Sequence, residues 1–138
     1  MSVYALDSNI ISYILQRRLD VQRHVYRVLQ NNDTIVIPPV AFYEVKRGLI
    51  ANNATAKVAR FDWLCNKFPI GEMNRAIWET AAEIYVPLQK KGTRIEDADV
   101  LIAAFCVAHN FVLVTNNVEH LGRIPELKWE NWATEGEL

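Results

Sequence analysis

Short apolar runs that alternate with longer segments of helical periodicity constrain the fold of this chain more than any other feature. Residues 3–6, 35–37 and 111–114 are brief, apolar and bounded by polar turns, which predicts buried strands. Residues 68–71 and 127–129 are two further short candidates, the first at a sheet edge because it contains a proline. The alternation predicts an α/β fold with a parallel sheet of about five strands that helices cover on both faces.

Apolar residues at helical spacing connect these runs. Residues 10–29 predict either two short helices or one interrupted helix. Further helices are predicted over about 39–50, 54–67, 74–91 and 95–109. Asn110 is a plausible left-handed stop for the last of them.

Length and composition limit the class of protein. A chain of 138 residues with 51% hydrophobic and 22% charged residues predicts one soluble globular domain over 1–138, with a loose tail around 135–137. It contains neither an apolar run of the ~20 residues that a membrane span needs nor a signal-like N-terminus, so we expect a cytoplasmic protein with no membrane partner. The net charge of −1 means that any contact with nucleic acid must be local.

Polar residues follow two of the predicted strands. Asp7 comes directly after residues 3–6, and Thr115 and Asn117 come after residues 111–114. In open α/β sheets, ligands bind beyond the carboxyl ends of the strands. If these two strands are neighbours, Asp7 and Asn117 lie on the same rim.

Two more acidic residues stand in apolar surroundings. Asp99 precedes the entirely apolar run 100–108, and Glu44 lies among apolar neighbours early in the helix predicted after the second strand. Burial of an uncompensated charge is expensive, so each carboxylate calls for a cation, strong donors or a water-filled cleft. Together with Asp7 these residues could converge as oxygen ligands of the kind that suits Mg²⁺ or Mn²⁺.

Each acid also has a purely structural interpretation. Asp7 alone fits a helix N-cap, and Glu44 alone fits a solvated residue paired with a following basic side chain. Acids in the first turn of the helix predicted over 95–109 complement its dipole, and these are Glu96, Asp97 and Asp99. The joint placement of the acids at strand and helix ends is what favours a metal site.

Four segments along the chain form one ordered set: 6–13 (LDSNIISY), 43–48 (YEVKRG), 95–104 (IEDADVLIAA) and 114–117 (VTNN). Together they resemble the successive motifs of VapC toxins, which are ribonucleases of the PIN-domain family. The resemblance implies a three-layer α/β/α PIN fold and a divalent-metal endoribonuclease, the toxin of a type II toxin–antitoxin pair. On the family pattern Asp7, Glu44 and Asp99 take the acidic metal positions, and Asn117 falls where many PIN domains carry a fourth acid.

The resemblance also implies supporting residues and partners. Asn9 and Thr115 resemble residues that support the site by hydrogen bonding to Asp7. It implies Mg²⁺, with Mn²⁺ as a substitute, an RNA substrate that leans toward tRNA, a homodimer, and a VapB antitoxin whose tail covers the active groove. Further candidate contributors near the site are Asp97, Glu119 and His120, and the nearest candidates for RNA binding are Lys46 and Arg47.

The expected reaction is hydrolysis of an RNA phosphodiester by water activated on Mg²⁺, which leaves 5′-phosphate and 3′-hydroxyl ends. Two alternatives remain open. An aspartate-based phosphohydrolase also begins with a strand-terminal Asp, although Asn9 replaces the second acid of its DxDxT pattern. A PIN-like module that binds RNA or protein without cleavage is the other alternative.

Overall fold

Four parallel strands form the centre of the fold in residues 2–134, the part of the chain that this computed structural model describes. The strands are β1 (Val3–Leu6), β2 (Thr34–Val36), β3 (Val112–Val114) and β4 (Lys128–Glu130). Their order is β2-β1-β3-β4, and every neighbouring pair is parallel. The predicted α/β class is therefore confirmed, whereas the tail around 135–137 lies outside the described residues.

The segment predicted as a fifth, edge strand does not form one. It makes a single bridge, between Ile37 and Ile70. The Ile37 amide donates to the Pro69 carbonyl at 2.9 Å, and the Gly71 amide donates to the Ile37 carbonyl at 2.9 Å. Because Pro69 has no N–H, the ladder cannot extend through it. The sheet thus has four strands within residues 2–134 rather than about five.

Seven helices flank the sheet in residues 2–134. They are α1 (Ser8–Leu15), α2 (Leu19–Gln30), α3 (Pro39–Ala51), α4 (Thr55–Lys67), α5 (Arg75–Lys90), α6 (Asp97–His109) and α7 (Val118–Leu121). The region after β1 contains two helices, separated by Arg17 in the left-handed conformation with φ 61°. Asn110 ends α6 with φ 59°, as predicted. None of these helices combines the length and the apolar character that crossing a bilayer would require.

Helix α6 contains the longest run of buried side chains of any helix in residues 2–134. Ile102, Ala103, Ala104, Phe105 and Cys106 are all buried in the core. The helix packs against α5, α3 and β3. Packing on several sides leaves little freedom for the backbone of α6, so the position from which Asp99 extends is fixed by the core.

The strand order places a crevice between β1 and β3. The chain moves from β1 to β2 on one side and later adds β3 and β4 on the other side. Connections therefore diverge between β1 and β3, and ligands of open α/β sheets bind at such a switch point, outside the carboxyl ends of the strands. Asp7 and Thr115 directly follow these two strands.

Two glycines give opposite predictions for stability. A β-carbon at Gly71 would overlap the ring of Phe105, which is buried, so Gly71→Ala should lower the free energy of unfolding by about 1 to 3 kcal/mol. Gly48 lies inside α3, and a β-carbon at this position would have no other atom within 4 Å, so Gly48→Ala should raise it by up to about 1 kcal/mol. Urea unfolding measures both values. Equal changes in the two variants would contradict the packing described here.

Candidate metal centre

Asp7 is a buried carboxylate at the end of β1. It is 2% exposed, and it accepts hydrogen bonds from the Thr115 hydroxyl at 2.7 Å and the Ser8 amide at 2.8 Å. The Asn9 side-chain amide donates at 3.4 Å to Oδ2 of Asp7, the same oxygen that accepts from Thr115. Burial raises the pKa of Asp7, while the hydrogen bonds from Thr115, Ser8 and Asn9 act to lower it. Asp7 therefore caps α1, as its structural interpretation predicts, and also presents a carboxylate at the crevice.

Ser8 connects Asp7 with Glu44. Its amide donates to Asp7, and its hydroxyl donates to Oε1 of Glu44 at 3.2 Å. Glu44 lies on the α3 face that turns toward α1, and its other oxygen is 4.0 Å from the guanidinium of Arg47. Glu44 therefore makes the ion pair expected of a solvated helix residue, at the long distance of 4.0 Å from Arg47. It also accepts the hydrogen bond from Ser8.

Asn117 connects Asp99 with the same rim. Its side-chain amide donates to Oδ2 of Asp99 at 3.2 Å, and its backbone amide donates to the Thr115 hydroxyl at 2.9 Å. Since that hydroxyl in turn donates to Asp7, a continuous chain of hydrogen bonds runs from Asp99 through Asn117 and Thr115 to Asp7. The strands β1 and β3 are neighbours, so Asp7 and Asn117 share one rim.

The electrostatics of Asp99 reflect this convergence. Burial, followed by the negative charges of Asp7, Glu44 and Glu96, raises the pKa of Asp99 to about 6, and His120 acts in the opposite direction. The raised pKa of Asp99 shows that negative charge is concentrated and poorly solvated at this place. A bound cation would relieve that repulsion.

The donor set fits a hydrated divalent ion. Within residues 2–134, no three Asp, Glu, His or Cys side chains already stand in an arrangement that would hold one ion directly. Mg²⁺ does not need such a cage, because it keeps several waters and is usually bound through one or two carboxylates. The converging groups are carboxylate oxygens, which suit Mg²⁺ and Mn²⁺.

An amide network behind Asp7 was not predicted from the sequence. Oδ1 of Asn9 accepts from the Asn116 amide at 3.2 Å, and the Asn116 side chain donates to the Tyr13 hydroxyl at 3.1 Å. The side-chain amide of Asn131 donates to Oδ1 of the Asn116 side chain at 3.2 Å. These bonds tie the loop after β3 to α1, so they fix the position of Asn9 beside Asp7.

The other predicted contributors differ in burial and in their interaction with the three acids. Asp97 is exposed, has no hydrogen bond to the three acids, and lines a separate pocket of about 340 Å³ beside Tyr85 and Arg94. Glu119 is exposed in the first turn of α7. His120 is half-buried and acts on Asp99 through its charge. Of these residues, His120 is the one that the structure brings electrostatically close to Asp99.

The two basic residues predicted beside the site differ in their contacts. Lys46 donates to Asp62 at 2.8 Å and is turned toward α4. Arg47 keeps a side chain that is 59% exposed, with its guanidinium 5.0 Å from the centre of the Tyr43 ring. Of these two residues, Arg47 is therefore the one available at the edge of the crevice.

Comparison with known proteins identifies the family. Residues 4–127 match the PIN domain family. Ribonuclease VapC2 of Rickettsia felis is 30% identical over 131 residues, which cover 94% of this chain and 98% of the relative. Ribonuclease VapC1 of Haemophilus influenzae strain R2866 is 28% identical, with 95% of this chain and 98% of the relative covered. The chain belongs to the PIN-domain family. Within that family it groups with the VapC ribonucleases, which confirms the resemblance seen in its motifs.

Solved structures agree with this assignment. The structure of VapBC2 from Rickettsia felis, bound to a DNA fragment from its promoter, matches with a TM-score of 0.86 at 29% identity and covers 94% of this chain and 98% of that chain. VapBC-1 from nontypeable Haemophilus influenzae matches with a TM-score of 0.84 at 28% identity and the same coverage of 94% and 98%. The PIN fold is therefore confirmed.

Asp99 gives protein stability a pH dependence of defined sign. Its pKa is about 6 in the folded state and 3.8 ordinarily, so the folded state binds more protons between these values and stability falls as the pH rises through that window. Asp99→Asn should therefore raise the free energy of unfolding at pH 8 by about 1 to 2 kcal/mol, a figure reduced for the half-exposed position of the carboxyl, and change it little at pH 4.

Urea unfolding at the two pH values in the presence of EDTA measures this effect. Asp62→Asn is the matched control, since Asp62 is exposed and paired with Lys46 outside the site. We expect no stabilisation from that variant at pH 8. A pH dependence in Asp99→Asn that equals that of the parent would contradict the electrostatic account.

Proposed function

We propose that this protein is a divalent-metal-dependent endoribonuclease, the toxin of a VapBC-type toxin–antitoxin pair, and that it hydrolyses RNA phosphodiesters at the carboxyl edge of its sheet. The observation that carries the proposal is the convergence of three carboxylates from separate segments, Asp7, Glu44 and Asp99, joined through hydroxyl and amide groups. The VapC relatives and the VapBC structures support the same function.

Mg²⁺ is the cofactor that we propose, with Mn²⁺ as a substitute, and Asp7, Glu44 and Asp99 would hold it. When bound, such an ion lowers the pKa of an attacking water and offsets charge that develops on the phosphate. The chain itself orients the carboxylates. The Thr115 hydroxyl donates to Asp7 at 2.7 Å and so orients it. Asn117, at the position where the family often carries a fourth acid, donates its side-chain amide to Asp99 at 3.2 Å.

The histidines favour attack by water over attack by the RNA 2′-hydroxyl. Cleavage through the 2′-hydroxyl usually needs an acid–base pair of side chains close together, and histidine fills that role most often. Here the His24 ring stacks on Trp132 at 5.5 Å and the His109 ring stacks on Phe111 at 4.8 Å, while His120 lies near Asp99. We therefore propose products with 5′-phosphate and 3′-hydroxyl ends.

The alternative of an aspartate-based phosphohydrolase has weaker support. Asn9 stands where that chemistry requires a second acid. Its amide donates to Asp7 and its carbonyl oxygen accepts from Asn116, so it acts as a positioning residue. A neutral amide cannot supply the proton transfer that the second acid performs in such enzymes.

A VapB-type antitoxin is the protein partner that we propose. The surface between α1, α2 and α4 has a groove of about 210 Å³ lined by Ile14, Leu15 and Trp63, and Trp63 is 61% exposed. Nε of Arg60, in the same groove, is buried and has no hydrogen-bond partner among the described residues. An apolar groove with an exposed aromatic is a feature of interaction surfaces, and a segment seated in it would supply a partner for the Arg60 donor. A homodimer stays a prediction, for which sedimentation is the test.

Loss of a single carboxylate should abolish most of the cleavage. We expect Asp7→Asn, Glu44→Gln and Asp99→Asn each to lower the Mn²⁺- or Mg²⁺-dependent cleavage rate by about 100-fold or more, because each removes charge that stabilises the ion and the transition state. Glu79→Gln is the matched control, since Glu79 pairs with Arg75 on α5. Gel assays on tRNA and on unstructured RNA measure the rates, with EDTA as the metal-free arm. A parent protein that cuts neither RNA with either metal refutes the nuclease.

Arg47 should contribute more to RNA binding than Lys46. Arg47 is exposed beside the crevice, whereas Lys46 is engaged by Asp62. We expect Arg47→Ala to weaken binding and to reduce the slope of log K against log salt by about 1, with a smaller change for Lys46→Ala. Anisotropy titrations of a fluorescent oligoribonucleotide at several salt concentrations measure this. The reverse order of the two variants would contradict the assignment.

A further inference from the structure

A polar pocket opens beside the Glu44 carboxylate and has no part in the chemistry described so far. It is an open pocket of about 230 Å³ between α1, α3 and the start of α4. Besides Glu44, its lining includes the polar side chains of Ser12, Gln16, Asn52 and Lys57. The pocket therefore extends the acidic crevice sideways, away from β3 and along the face of α3.

The polar groups of this pocket are free to bind a ligand. Within residues 2–134, the side chains of Ser12, Gln16, Asn52 and Lys57 take part in no side-chain hydrogen bond or ion pair. Each primary amide offers both donors and an acceptor, which is the combination that pairs with the edge of a nucleobase. Lys57 adds a cation that can lie against a phosphate.

Gly48 keeps the pocket open. It lines the pocket from the interior of α3, where glycine weakens a helix. Neither the backbone nor the packing requires glycine at this position, because its φ is not positive and nothing lies within 4 Å of a β-carbon built there. A larger side chain at position 48 would have space to grow into the pocket without disturbing the core.

We propose that this pocket binds one unpaired nucleobase of the RNA, on a nucleotide next to the scissile phosphate, and thereby sets the base preference of cleavage. The proposal rests on the ribonuclease function above. The pocket is smaller than the roughly 300 Å³ at which sites for larger ligands begin, so it suits a single base. Bases splayed out of single-stranded RNA are typically read through their edges by polar side chains.

Gly48→Leu tests the pocket through cleavage. On an RNA with one mapped cut site, we expect kcat/KM to fall roughly tenfold, the scale of losing one bound base, through a higher KM with kcat little changed. The kcat/KM of Gly48→Ala should lie between the values of the parent and of Gly48→Leu. Ala82→Leu, which adds the same side chain to an exposed position of α5, is the matched control and should cut like the parent.

An abasic substrate identifies the ligand as a base. With the base removed from the nucleotide beside the cut, the parent should lose roughly tenfold in kcat/KM, whereas Gly48→Leu should lose less than about twofold because it no longer holds that base. Equal losses in the two proteins overturn the proposal. It is also overturned if Gly48→Leu cuts like the parent but fails to copurify with a coexpressed VapB partner, since the pocket then serves a protein.

A binding measurement separates this proposal from the nuclease function. In titrations with the four ribonucleoside 5′-monophosphates, the side-chain amide NMR signals of Gln16 and Asn52 should shift in the parent and stay unchanged in Gly48→Leu. A parent that shows these shifts but cuts no RNA refutes the ribonuclease and retains the pocket. A parent that cuts RNA, shows no shifts and tolerates Gly48→Leu refutes the pocket alone.

Discussion

The buried carboxylate of Asp7 is the constraint on which the rest of the site depends. A charge that is 2% exposed at the end of a central strand would cost several kcal/mol without strong donors. The Thr115 hydroxyl and the Ser8 amide supply those donors, and each comes from a different segment. The requirement to satisfy one carboxylate therefore fixes the loop after β3 and the start of α1 relative to β1.

The other acids are placed through the same groups. The Ser8 hydroxyl donates to Glu44, while the Ser8 backbone amide donates to Asp7. The Thr115 hydroxyl accepts from the backbone amide of Asn117, whose side-chain amide donates to Asp99. Burial of α6 prevents Asp99 from moving away from its negative neighbours, and its pKa of about 6 follows from that packing. The same arrangement that lowers stability at neutral pH also prepares a place for a cation, as is common at functional sites.

The sequence predicted the elements and the acids better than the contacts between them. Periodicity located the strands and long helices, and strand ends pointed to Asp7 and Asn117, because these signals are local along the chain. The bridge that replaces the predicted strand at 68–71 depends on which groups of Pro69 face Ile37. The link from Asn116 to Tyr13 spans 103 positions, and the link from Ser8 to Glu44 spans 36. Such pairings follow from tertiary packing, which no local pattern encodes.

Electrostatics connect RNA binding with the cation. The chain has a net charge of −1, and its crevice concentrates three carboxylates, so without a cation the site itself repels a phosphate backbone. Lys46 does little to offset this, because Asp62 already engages it, whereas Arg47 stands exposed beside Glu44 and Lys57 lines the adjoining pocket. On the proposed function, a divalent ion held by Asp7, Glu44 and Asp99 would offset the repulsion between these carboxylates and the RNA phosphates. Binding of RNA at the crevice and binding of the ion should then strengthen one another, because each lowers the electrostatic penalty of the other.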